Sequence, residues 1–108
     1  MLFRSPENHW GAEAIPENMK RLCEAVNHPG YGMLLHFRGN EGDKLMAPWA
    51  MHTHLSWDIT ENHLLESMTM LREVGYKGCW GIEHHSGKNE YPEVAVQVAR
   101  AQSLLAQW

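Results

Sequence analysis

Apolar and polar positions follow two rhythms along this chain. From Pro16 to Asn27, Met19, Leu22, Cys23 and Val26 recur at the i, i+3, i+4, i+7 spacing of one helical face. Pro16 suits the first helical position, where a missing N–H costs nothing. "HPGYG" breaks that pattern, and "GMLLHF" (32–37) predicts a short buried strand. "RGNEGDKLMAP" is a polar connection with at most a short helical turn, and "WAMHTHLSW" (49–57) predicts the next strand. Thr60 is placed to N-cap a helix running to about Val74, with Ile59 and Leu64 as a hydrophobic staple. Leu64, Leu65, Met68 and Leu71 are its expected inward face, and Gly75 its stop. "YKGCWGIE" (76–83) predicts a strand and "HHSGKNEY" a loop. Pro92 opens a last helix that turns Val94, Val98, Ala101 and Leu105 inward. At the N-terminus "LFRSPE" is a further candidate strand, truncated or frayed, with Pro6 counting against the pattern.

The order is strand, helix, strand, link, strand, helix, strand, helix. Such alternation predicts an α/β fold with a parallel sheet and right-handed crossovers. With 108 residues, 44% of them hydrophobic, the chain fits one domain, 1–108. A formal charge of −4 without a Lys/Arg cluster argues against a nucleic-acid partner. No apolar run is long enough for a membrane span, and "MLFRSPENHWG" lacks the apolar core of a secretory signal. Cys23 and Cys79 are too few for a disulfide framework, so a cytoplasmic setting is expected, with Cys23 simply buried.

Histidine changes the picture, because there are eight. His52 and His54 share one strand face, since strand side chains alternate. Each predicted strand also ends in a metal-capable residue: Glu7, His36, His54 and Glu83. In parallel α/β folds functional groups gather at those C-terminal ends. Two carboxylates and two imidazoles suit a divalent ion. Any one of them alone is more often a solvated or hydrogen-bonded group, so the reading depends on the four meeting. His84 and His85 lie beyond the strand and read as surface or substrate-facing groups, His28 and His63 as structural or exposed ones. In the last strand Cys79, Gly81 and Glu83 share one face, and Trp80 and Ile82 share the other.

With those residues in place, the chain resembles the sugar phosphate isomerase/epimerase-like family of xylose isomerase-type TIM barrels. "ENHWG" (7–11), "HTHLSWD" (52–58) and "GYKGCWGIEHHSG" (75–87) carry the resemblance, in that order, and "PENMKRLCEAV" is similar to the family's helix after the first motif. It covers nearly the whole chain but matches only the C-terminal half of the family, about four strands and three to four helices. The resemblance implies a divalent metal (Mn, Mg, Co or Zn) and a sugar or polyol substrate. It makes Glu7 and Glu83 metal ligands and the acid/base pair, His54 a ligand, and His52 its support. Where the family usually has an Asp ligand, this chain offers His36, with Phe37 equally alignable. Arg38, Trp10, His85 and Lys88 are expected near the same rim, in reach of substrate hydroxyls.

The implied chemistry is proton abstraction next to a carbonyl, with a metal-stabilised enediolate and two carboxylates moving the proton. A complete (β/α)₈ barrel takes about 250 residues. The chain is therefore expected to be a fragment, a half-barrel closed by homo-oligomerisation, or a non-catalytic binding relic. An apurinic endonuclease-like zinc phosphodiesterase on the same barrel is a further alternative, which the charge disfavours.

Overall fold

The computed structural model describes residues 4–108. Its centre is a parallel sheet of three strands, β1 (Met33–His36), β2 (Ala50–Leu55) and β3 (Trp80–Ile82), in that spatial order. The N-terminal segment extends it on the β1 side through parallel bridges from Arg4 to Tyr31 and Glu7 to Leu34. Leu34 N–H donates to the Pro6 carbonyl at 2.9 Å, and proline's missing donor is tolerated on this outermost row. Leu2 and Phe3, the start of the expected N-terminal strand, lie outside the described residues.

Five α-helices accompany the sheet: α1 (Pro16–Val26), α2 (Glu41–Met46), α3 (Trp57–Asn62), α4 (Leu64–Glu73) and α5 (Glu90–Leu105). They bury one sheet face. Met33, Leu35, Phe37 and Leu55 from the strand region meet Met19, Met46, Ile59, Met68, Leu71 and Ala101 from the helices. Burying a side chain of this size contributes about 1.5–3 kcal/mol. In-register partners face the same side of a sheet, so Leu35, Thr53 and Trp80 belong to the helix face. His36, His54 and Gly81 align on the opposite face. Among the described residues no helix is long and apolar enough to cross a membrane.

Several expectations need correcting. The polar link contains a true helix, α2, because the Asn40 side chain accepts from Gly42 N–H and caps it. Asp43 from α2 is buried and folds the loop after β1, accepting from the N–H groups of Arg38 (3.1 Å) and Gly39 (2.8 Å). Thr60 is not a cap. The helix begins directly after β2 with Ser56 as N-cap, and Thr60 sits inside α3 donating back to the Ser56 carbonyl at 2.9 Å. The expected single helix is divided at His63 into α3 and α4.

Leu65 points outward at 62% exposure, because α4 turns Ser67, Met68 and Leu71 to the core. On α1 only Met19 and Cys23 are buried, leaving Leu22 and Val26 exposed. The last helix starts at Glu90, two residues before Pro92, which its first turn accommodates. Its inward positions are Gln97 and Ala101 with half-buried Val94 and Leu104, while Val98 and Leu105 are exposed. The strand expected over 76–83 shrinks to three residues. Gly75 does stop α4, with φ +84°, a conformation that L side chains rarely adopt.

Candidate metal centre

Glu7, His36, His54 and Glu83 meet at the C-terminal strand ends, on the face away from the helices. Each contributes one donor atom, and the four donors lie within 4.8 Å of one another. Sheet geometry explains the meeting. His36 and His54 are register partners, and Glu83 follows Gly81, the partner of His54, by two residues. Glu83 N–H continues the β2–β3 ladder by donating to the Leu55 carbonyl at 3.1 Å. Glu7 arrives from the other flank, in the row bridged to Leu34. The two carboxylates therefore flank the two imidazoles.

Both histidines present the same ring nitrogen. His54 Nδ1 lies 3.0 Å from Glu7 Oε1 and 2.9 Å from Glu83 Oε2. His36 Nδ1 lies 3.5 Å and 3.1 Å from the same two oxygens. Donors bound to one cation at about 2.0–2.2 Å stand roughly 3–3.5 Å apart, so the spacing fits a shared ion. His54 Nδ1 and Glu7 Oε1 are placed to hydrogen-bond each other, while the other two donors are not. His36 Nδ1 and Glu83 Oε2 are both buried without a hydrogen-bond partner, so they do not satisfy each other despite their separation. Buried polar atoms left this way are uncommon and call for an explanation. Gly81 keeps the space open, since a Cβ there would stand 3.2 Å from His52 Nε2 and 3.4 Å from the His54 ring. The residues present thus fit a divalent ion.

Electrostatics favour the ligand forms. Burial pushes the His36 imidazole below its ordinary range, and the Arg38 charge adds to that, favouring the neutral ring. Burial alone raises the Glu83 carboxyl. The His85 hydrogen bond and the imidazoles of His54 and His36 outweigh it, and Glu83 sits below the usual carboxylate range.

The remaining expected site residues are spread around this cluster. His52 shares the face with His54, ring centroids 5.8 Å apart, but is not one of the four donors. His85 is exposed (77% of its side chain) and its Nε2 lies 2.7 Å from Glu83 Oε1. Arg38 turns its guanidinium to the carbonyls of Asn8 (3.4 Å) and His9 (3.3 Å), holding the N-terminal segment. Trp10 is exposed, its ring tilted against that of His9 with centroids 4.2 Å apart. Lys88 lies in the loop before α5, its N–H on Ser86 Oγ. His84, expected at the surface or facing substrate, has its side chain buried, with Glu93 against its Nε2 and the Trp57 ring beside it.

Two supporting residues were not anticipated. Asn8, almost fully buried, accepts from His36 N–H at 2.7 Å and donates to the His36 carbonyl at 2.9 Å. Its place inside "ENHWG" was the available signal. Gln97 donates to the Leu55 carbonyl at 3.1 Å, the acceptor that also fixes Glu83 N–H, and to Thr60 Oγ1 at 3.1 Å. No pattern of hydrophobicity marks it.

No protein-family model, curated protein or solved structure matches the chain.

Proposed function

We propose that the chain is a (β/α) half of a TIM-type barrel and serves as a metal-dependent sugar or polyol isomerase/epimerase-like domain. The observation that carries this reading is the Glu–His–His–Glu cluster at the ends of parallel elements. A bound divalent ion supplies positive charge that stabilises an oxyanion next to the reacting carbon. Glu7 and Glu83 reach the cluster from opposite flanks of the sheet, so one takes a proton from a carbon beside a carbonyl while the other returns it. The neighbouring His85 holds Glu83 Oε1, leaving Oε2 for the cluster.

The test is deuterium incorporation from D₂O next to the carbonyl of a panel of ketoses and ketose phosphates, followed by NMR. The metal-loaded chain exchanges that hydrogen and Glu83→Gln does not. A metal-loaded chain that exchanges none of the panel overturns the isomerase reading.

A second reading has its own observation. The helical core occupies one side of the sheet, leaving the cluster-bearing face without helical cover. Uncovered faces and sheet edges favour association, here into a homo-oligomer that need not be catalytic. Native mass spectrometry decides this: a monomer at micromolar concentration rejects it.

A further inference from the structure

The donor set of the cluster carries more than the presence of a cation. Half of its donors are imidazole nitrogens, and both are Nδ1 atoms facing the same carboxylate oxygens. His36 is not a peripheral helper. It is only 8% exposed, its backbone is pinned on both sides by Asn8, and its Nδ1 is buried with no hydrogen-bond partner. The pinned backbone and the low exposure keep the ring at the cluster, with Nδ1 free to ligate.

We infer that this centre selects a borderline first-row transition ion, zinc or cobalt(II), and discriminates against magnesium and calcium, with His36 Nδ1 as the selecting ligand; this rests on the metal-dependent reading above. Magnesium demands near-octahedral oxygen ligation and gives up its waters reluctantly, and calcium takes six to eight oxygens. Two protein oxygens and two fixed nitrogens meet neither demand. Imidazole suits zinc and its neighbours, and affinity for nitrogen sites rises from manganese through cobalt. Charge also balances, because two carboxylates neutralise one divalent ion and the imidazoles add none.

The test is calorimetric titration of the chelator-stripped full chain with Zn²⁺, Co²⁺, Mn²⁺ and Mg²⁺ near neutral pH. Long-range ¹H–¹⁵N NMR of the imidazoles in the zinc form accompanies it. Zinc and cobalt are expected to bind at least roughly 100-fold more tightly than magnesium, with manganese between. Zinc is expected to shift Nδ1 of both His36 and His54. A His36→Asp chain narrows the cobalt-to-magnesium ratio by about tenfold or more; should it not fold, the wild-type titration and NMR decide alone. Magnesium binding as tight as cobalt, or a shift at His54 without His36, overturns the inference while leaving a metal-dependent protein in place. A chain that binds none of the four ions overturns both.

Discussion

Asn8 replaces a strand's backbone with a side-chain amide, pairing with both backbone groups of His36. Its substitution therefore has a double effect. Asn8→Ala leaves a buried donor and acceptor unpaired, and urea denaturation should show a loss of about 2 kcal/mol or more. The same change frees Glu7 next door, so zinc affinity is expected to fall beyond what the stability loss explains. Asn8→Asp keeps the acceptor for His36 N–H and should recover part of both. The cluster also predicts an acid response of the metal-free chain. His36 is held below its unfolded range, so the unfolded state binds the extra proton, and stability declines as pH falls below about 6.5. Glu83, held below its own range, adds a further loss as pH falls below about 4.5 toward its lower folded value. Denaturation midpoints between neutrality and pH about 5 check the first part, and His36→Gln should flatten the slope there. The four donors were legible in the sequence because they are polar residues closing predicted strands. Asn8 was marked only by its place inside "ENHWG", because its partner is backbone, and no residue type at position 36 reveals that need.

Elements show where hydrophobic periodicity misleads. Val98 looks like an inward residue, yet α5 turns Gln97 to the core, where its amide donates to the Leu55 carbonyl and to Thr60 Oγ1, bonds that valine cannot make. Ser56 rather than Thr60 starts α3 for a similar reason: the helix begins where β2 ends, and the first hydroxyl in line accepts from Ile59 N–H at 3.4 Å. The parallel sense of the sheet was legible from strand–helix alternation, whereas β3 was overestimated because hydropathy does not report which residues find a ladder partner. Gly81 ties an element to the centre. A Cβ there would stand 2.4 Å from the Thr53 carbonyl, which is backbone of β2 and cannot yield cheaply. Gly81→Ala should push β3 from β2, costing about 1–3 kcal/mol by denaturation, and weaken zinc binding by separating Glu83 from the histidines.

At the scale of the molecule, attachment is uneven. The helices share one continuous core, while the N-terminal segment joins the sheet through two bridges, the Asn8 amide and the Arg38 guanidinium. A cation at the centre would add a further link. An ion present at 100 times its dissociation constant raises stability by about 2.7 kcal/mol. Thermal denaturation with zinc against chelator should show that rise, and show none in a His54→Ala, Glu83→Ala chain. Glu7 and Glu83 stand seventy-six positions apart, so an ion held by both closes most of the chain into a loop. A covalent bond closing such a loop contributes on the order of 4 kcal/mol by restricting the unfolded chain. The centre is therefore also a reversible staple. Limited proteolysis between Glu7 and Pro16 should be slow with zinc and fast with chelator, making the grip on the first residues a gauge of how much metal surrounds the protein.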